Sequence, residues 1–482
     1  MRVRDTARMR WESQPSTKPT AVSPERLSSV DRAFLNMESA TSPMVIVALI
    51  VLGAPLRRTR VRDRLAVRLL AHRRFRCVPR EGIAQALWEP FEGFDIDDHV
   101  LAAALPAPGH QQALERLVGE LASEPLPQNR PLWSFHVVER FGHGSAIVAR
   151  IHHCYADGIA LVRILLNLAE EAAPPVPPHR PAPTAAPARP AIAWASALPE
   201  ALQDPRRLAE AALHWALHPQ AAATAAREAA GLFEELGRLA LLPDDPPSRL
   251  KRPLSGIRRV AWGAPLSLEE VQTIGIVLGC TVNDVLISTL AGALGQHLAA
   301  QGDVIDGVTL RATVPVDLRS RHESAAPLGN RFGLIFVDLP IGVRHPLERL
   351  YQVRAAMRAL KGSEQAVLTY GLLATVGSLP RPLEDLAMTV LSTKASLVAS
   401  NLRGPEAALH IAGAPVRQLL FWVPQSGSIG TGISILSYHG RVQFGVIADR
   451  ALIADPTDLI ARIQKGFEQL VLLVLLGGAA LR

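Results

Sequence analysis

Two adjacent histidines, His152 and His153, precede Asp157 and Gly158 in the stretch ARIHHCYADGIALVRILLN, residues 149–167. Side chains of these types at this spacing admit three readings: a metal site, a satisfied polar core, or a general base with a supporting aspartate. A strand reading of SAIVARIHH turns successive side chains to opposite faces, so His152 and His153 cannot both enter one site. The helical histidine pair, four residues apart, that holds zinc in proteases is also missing. Both observations argue against a metal, and none is expected. A lone histidine beside apolar residues is most often structural. Here, however, Asp157 follows at a strand-to-helix junction, where it can cap the new helix, and Gly158 allows a tight turn. With 15 His and 34 Gly in the chain, HHxxxDG arises by chance on the order of once in a thousand such sequences.

The chemistry suits a base. An imidazole with an ordinary pKa near 6.5 takes a proton from an alcohol and returns it to a leaving group at cellular pH. An alcohol hydroxyl needs that help to attack a thioester. Asp157 either orients the ring directly or fixes the turn through an arginine. Cys154 sits inside the motif without a separate base, which disfavours it as a nucleophile.

These residues must be positioned by the elements around them. SFHVVERF and SAIVARIHH read as strands joined by a short turn at Gly142–Gly144. After Asp157, Leu161, Ile164, Leu165 and Leu168 recur at helical spacing, predicting an amphipathic helix. In the second half VNDVLISTLAGALGQHL reads as a buried helix, and VTLRATVPVDL, LIFVDLPI and RVQFGVIAD read as strands. No fixed-period repeat is present. The stretch APPVPPHRPAPTAAPARP, Ala173–Pro190, cannot hold a helix or a central strand and reads as a linker. An Ala-rich, helix-prone segment follows from about Trp194 to Leu242. The chain thus divides into a basic arm (1–25), a first lobe carrying the histidines (26–172), a linker and helical crossover (173–248) and a second lobe (249–482).

Bulk properties narrow the class. At 482 residues the chain exceeds one ordinary core, and two or three lobes are expected. Hydrophobic residues at 48% against 20% charged exclude a disordered chain. A net charge of +7 and a pI near 9.7 favour anionic partners, including phosphorylated co-substrates and lipid headgroups. Nucleic acid is disfavoured, because aromatics are only 5% and no helix carries a dense basic stripe with stacking residues. Cys77, Cys154 and Cys280 form no zinc spacing or disulfide framework, which fits a reducing cytoplasm. The N-terminus lacks the apolar core of a signal peptide. The tail LVLLVLLGGAAL, Leu470–Leu481, is shorter than the roughly 18–20 residues that span a bilayer. It reads as a terminal core helix in preference to an interfacial anchor, in a protein that is soluble or peripherally bound.

HHxxxDG resembles the signature of the CoA-dependent acyltransferase superfamily. The flanking stretches narrow the likeness: SSVDRAFLNMESATSPM (28–44), FDIDDHV, ALPAPG, RPLW (130–133), TVNDV (281–285), LGNRF (328–332), SNLRGP (400–405) and LSYHGRVQFGVIADR (436–450). Together, from about residue 26 onward, they resemble the bacterial bifunctional wax ester synthase/diacylglycerol acyltransferase family. That resemblance implies a mixed α/β fold of two lobes, chloramphenicol-acetyltransferase-like, with an active-site tunnel between them. It implies His153 as general base, His152 as its neighbour, Asp157 as chiefly structural with Gly158 beside it, and Asn283 with Asp284 as a second site motif. Asn283 would position the hydroxyl or bind the developing oxyanion. Arg319 of VPVDLRSR is the expected partner of Asp157, and Trp133 is expected to pack. The implied partners are acyl-CoA as co-substrate, with no resident cofactor, and a long-chain alcohol or diacylglycerol. The implied location is cytoplasmic, in peripheral contact with the inner membrane face or lipid inclusions. Oligomeric state has no signal.

Three positions depart from the family's pattern. Val45 stands where a histidine commonly follows SPM, Pro127-Gln128 replace an acidic-basic pair before RPLW, and Arg403 interrupts the usual NVPGP. Arg403 is expected to alter the tunnel's polarity or to meet phosphate. Two rival readings share the motif: a condensation-type or polyketide-associated acyltransferase, and a catalytically silent protein of neutral-lipid droplets. The flanking stretches oppose the first, and retention of His153, Asp157 and Asn283 together opposes the second.

Overall fold

The computed structural model describes residues 25–81, 86–107, 109–169, 241–319, 328–361, 363, 365–377 and 381–480. The basic arm, apart from Glu25, and the 173–248 crossover, apart from 241–248, lie outside them.

The first half opens with β1 (Glu25–Arg26), α1 (Ser29–Asn36), β2 (Val45–Leu52) and α2 (Arg58–Arg68). It continues through β3 (Cys77–Glu81), β4 (Ala86–Pro90), β5 (Val100–Ala103), α3 (Gln111–Ser123), β6 (Trp133–Phe141), β7 (Gly144–His152) and α4 (Gly158–Leu166). The second half begins with β8 (Arg258–Trp262), β9 (Leu266–Ser267), α5 (Leu268–Leu278), α6 (Val282–Ala300), β10 (Leu310–Asp317) and β11 (Phe332–Leu339). Helices α7 (Pro346–Leu360), α8 (Gln365–Val376) and α9 (Arg381–Thr393) follow. The chain ends with β12 (Leu397–Arg403), β13 (His410–Ile411), β14 (Ala414–Trp422), β15 (Thr431–Tyr438), β16 (Arg441–Asp449) and α10 (Pro456–Ala480).

Two mixed sheets form the lobes, with strand orders β13-β14-β2-β7-β6-β5 and β11-β10-β12-β15-β16-β8. Strands β2 and β7 are buried at every position, which their near-continuous Val, Ile, Leu and Ala runs permit. The start of β7 runs close against the end of β2: a Cβ on Gly144 would sit 1.9 Å from the Leu52 carbonyl oxygen. Helix α6 is covered almost all round. Its first turn is fixed by a reciprocal cap, the Thr281 hydroxyl accepting from Asp284 N and the Asp284 carboxylate from Thr281 N.

One expected boundary fails. Residues 249–482 do not stay in one lobe, because β14 crosses over and pairs with β2 along residues 416–422. The free edge of β2, apolar from end to end, is the surface that receives it. Phe421 and Trp422 of β14 therefore join the core of the first lobe, where Val260 and Trp262 of β8 also pack. A smaller cluster of Val30, Phe34, Met44, Phe332 and Leu373 bridges the lobes.

Candidate active site

Strand β7 ends at His152, and His153 is the first residue of the turn that follows. The two rings are thus separated by a turn, not by strand alternation as the sequence predicts. His152 pairs in register with Val45 and is fully buried. Its Nδ1 accepts from Cys154 N at 3.1 Å and its Nε2 lies 3.6 Å from Glu38 Oε2. His153 faces the other way, into a cavity enclosing about 1010 Å³, part of it open to solvent. Phe34, Gly158, Thr313, Phe332, Leu373 and Leu402 are among its walls, so both lobes contribute. Leucine, phenylalanine and methionine dominate the lining, as in sites for apolar ligands.

The turn carrying His153 is held from every side. His153 N donates to Met44 O at 2.7 Å, just before β2. Asn330 Nδ2 donates to His153 O and to Asp31 Oδ1, both at 2.8 Å. Arg74 Nη1 donates to Tyr155 O at 3.2 Å and to Asp31 at 3.4 Å. The imidazole itself stacks on Phe34 with ring centroids 3.9 Å apart. Its Nδ1 is buried and hydrogen-bonds to no protein atom among the described residues.

Asp157 caps α4. Its Oδ1 accepts from Ala160 N at 2.9 Å, while Oδ2 accepts from Arg319 Nη2 at 2.6 Å and Arg331 N at 3.0 Å. Asp157 and Arg319 therefore pair across the lobes, and both side chains are only 3% exposed. Arg319 is itself fixed by the Gly329 carbonyl and Asp317. With its oxygens so engaged, Asp157 makes no hydrogen bond to His153 and works as a turn-holder.

Burial sets the electrostatics. Desolvation pushes the His153 imidazole down to about 4, against a partial upward pull from the nearby Asp157 charge. The imidazole is therefore neutral throughout the physiological range. Burial likewise drives the Cys154 thiol well above its ordinary range, which removes it as a thiolate nucleophile. Asp31 is also raised by burial, although Arg74 and Asn330 oppose that.

The second expected motif lies elsewhere. Asn283 is not in the lining of the His153 cavity. Its Oδ1 accepts from Asn401 Nδ2 at 2.8 Å, which ties the start of α6 to β12 between the cavity-lining Ser400 and Leu402. Asp284 is consumed by the helix cap. Arg403 points outward, its side chain 72% exposed and paired with Glu406, while Leu402 supplies the cavity wall. Trp133 packs as expected, buried, stacked on His99 and donating from Nε1 to Phe75 O at 2.8 Å. Among the described residues no cluster of His, Cys, Asp or Glu could hold a metal.

Four residues of the site carry no separate chemical signal in the sequence: Asp31, Phe34, Arg74 and Asn330. Asp31 and Phe34 sit inside VDRAF and Asn330 inside LGNRF, but nothing local says that Asn330 spans 299 positions to Asp31.

A family model for the wax ester synthase/diacylglycerol acyltransferase catalytic domain matches residues 27–286, and one for the WS/DGAT C-terminal domain matches 328–471. The chain belongs to the wax ester synthase/diacylglycerol acyltransferase family. O-acyl transfer is the chemistry of this family. The chain is 28% identical over 396 residues to a probable diacylglycerol O-acyltransferase of Mycobacterium tuberculosis, covering 80% of this chain and 81% of that protein. Its fold is similar to that of the wax ester synthase/diacylglycerol acyltransferase from Marinobacter aquaeolei VT8. There the TM-score is 0.66 at 22% identity, over 93% of this chain and 99% of the other. The first condensation domain of the calcium-dependent antibiotic synthetase shares the fold more distantly, with a TM-score of 0.55 at 14% identity over 95% and 97% of the two chains.

Proposed function

We propose that this acyltransferase moves a long-chain acyl group from acyl-CoA to the hydroxyl of a fatty alcohol or diacylglycerol, giving wax ester or triacylglycerol. The observation that carries the reading is a neutral, buried imidazole on the wall of an apolar cavity lined by both lobes. His153 removes the hydroxyl proton as the oxygen attacks the thioester carbonyl. The tetrahedral intermediate expels CoA thiolate, and the His153 imidazolium returns the proton to that sulfur. Direct transfer of this kind needs neither an acyl-enzyme nor a resident cofactor. His152, Asp157, Arg319 and Asn330 position the turn, and Asn283 holds Asn401 of β12, between the cavity-lining Ser400 and Leu402.

Peripheral contact with a lipid surface on the cytoplasmic side belongs to the same reading. The last turns of α10 leave Leu472, Leu475 and Leu476 56–69% exposed. Among the described residues no single helix is long and apolar enough to cross a membrane. The test is product analysis with palmitoyl-CoA and either hexadecanol or dioleoylglycerol. Formation of neither ester, or thiol release independent of both acceptors, refutes the proposal.

A further inference from the structure

The cavity that His153 faces has a direction, set by three strands of the second sheet. Alternate side chains of a strand share a face, and Phe332, Leu334 and Phe336 of β11 all line the cavity, as do Thr313 and Pro315 of β10. The register stacks them in rows. Phe332 lies opposite Asp317, Leu334 opposite Pro315, and Phe336 opposite Thr313, which also pairs with Val398 of β12. His153 meets the first row, its ring centroid 5.7 Å from that of Phe332. Helices α8 and α9 roof the rows, through Leu372 and Leu373 of the one and Met388 and Leu391 of the other. A channel thus runs from His153 along the face of the sheet.

It ends at the third row. Phe336 packs there with Ile429 and Ala395, all three buried, and Leu242 lies against the same group. Hydrogen bonds fix this end: Phe336 N donates to Gln365 Oε1 at 2.8 Å. Lys251 Nζ donates to Ser392 O at 3.0 Å, to Thr393 O at 3.1 Å and to Ala395 O, which ties the last turn of α9 to the residue behind Phe336. The hydroxyls of Thr313 and Thr369 turn to the backbone carbonyls of Leu397, Leu334 and Ala366, which leaves their methyl groups for the channel.

We propose that Phe336, backed by Ile429, is a stop that measures one straight alkyl chain reaching from the reacting carbon at His153 to the third row. The inference rests on the acyl-transfer reading above. The chain belongs to the acyl thioester or to the fatty alcohol, since both react at His153. From Phe332 to Phe336 the strand rises about 13–14 Å. An extended alkyl chain, with bonds of about 1.5 Å at about 111°, advances about 1.25 Å per carbon, so about eleven carbons fill that length. Longer chains must displace a packed aromatic ring, and overfilling a packed interior is destabilising. Shorter chains leave apolar wall uncovered and gain less from burial. One of the two substrates is therefore held to medium length, while the other is free to be longer.

The test measures kcat/KM in two series: octanoyl- to stearoyl-CoA with decanol, and octanol to octadecanol with decanoyl-CoA. In one series the wild type falls roughly tenfold or more beyond lauroyl-CoA or dodecanol, and that series names the occupant. Phe336→Ala moves the fall to chains longer by about two to four carbons. Val398→Phe, which fills the same row, moves it to shorter chains. Comparing chain lengths within each variant cancels any loss of folded protein, and opposite shifts from two core substitutions exclude a general loosening. Phe336→Leu, a milder truncation, moves the fall in the same direction as Phe336→Ala and serves where the alanine variant does not fold. The proposal is overturned by a wild type without a fall in either series, by a fall that neither variant moves, by shifts in the same direction, or by equal shifts in both series. If the wild type transfers no acyl group with any pair, the acyl-transfer reading itself fails. Calorimetric binding of decanoate and palmitate then decides the stop separately. A palmitate affinity that rises relative to decanoate in Phe336→Ala and falls in Val398→Phe supports it, and unchanged ratios overturn it.

Discussion

Replacing Arg319 with alanine removes the donor that reaches Asp157 Oδ2 at 2.6 Å and the bonds to Gly329 O and Asp317. Asp157, only 2% exposed, keeps the backbone donors of Ala160 and Arg331. Stripping one partner from a buried pair costs about 3–5 kcal/mol. Since two donors remain, the lower end applies, about 3 kcal/mol. For a lobe of ordinary size that corresponds to a loss of about 6–12 °C in melting temperature. The turn bearing His153 loosens with it, so acyl transfer collapses in equal proportion with hexadecanol and with dioleoylglycerol. Adding Asp157→Asn to Arg319→Ala removes the stranded charge while its side-chain oxygen retains the helix cap. The double variant therefore melts higher than the single one. Thermal unfolding and steady-state transfer with both acceptors make the measurement. A melting temperature within about 1 °C of wild type, or a double variant less stable than Arg319→Ala, refutes the reasoning.

Other outcomes follow from the same geometry. Because burial holds His153 near 4, the acid limb of kcat/KM falls below about pH 5, not near the ordinary 6.5; a limb at 6.5 or above contradicts the burial argument. Its folded pKa lies below the unfolded one, so stability present above pH 6.5 drains away as pH falls toward 4, by on the order of 3 kcal/mol. In pH-dependent unfolding, His153→Gln lessens that slope. Asn330→Ala frees both His153 O and Asp31, and should cost activity with every acceptor together with about 1–3 kcal/mol of stability; unchanged activity would remove it from the positioning set. Leu475→Gln/Leu476→Gln should reduce co-flotation with lipid vesicles and leave the melting temperature near wild type. Equal flotation would argue against α10 as the contact.

Local chemistry was legible in the sequence where it is decided locally. The strand expected at RVQFGVIAD is β16 residue for residue, because its apolar run is bounded by charged ends. Helix α4 starts where the Asp157 cap requires. The Asp157–Arg319 pair was reachable through the resemblance, as both residues lie in recognisable stretches. What escaped depends on distant chain. β14 leaves its own half to satisfy the open edge of β2, and no pattern within β14 distinguishes one receiving edge from another. Asn283 sits in a recognisable stretch, yet nothing local says that its side-chain oxygen accepts from Asn401, 118 positions away. The clamp of Asp31, Arg74 and Asn330 on residues 153–155 rests on side chains whose ordinary local roles, capping and surface charge, conceal it.

The central claim is that His153 is the general base of acyl transfer and His152 is not. Thiol release from palmitoyl-CoA in the presence of hexadecanol or dioleoylglycerol, measured on wild type, His153→Ala and His152→Ala, tests it most directly. The account predicts that His153→Ala loses about 10²–10⁴-fold in kcat while its fold, checked by thermal unfolding, persists. His152→Ala, acting through the turn, loses less. Wild-type release by His153→Ala, or a larger loss from His152→Ala in a folded protein, would contradict it.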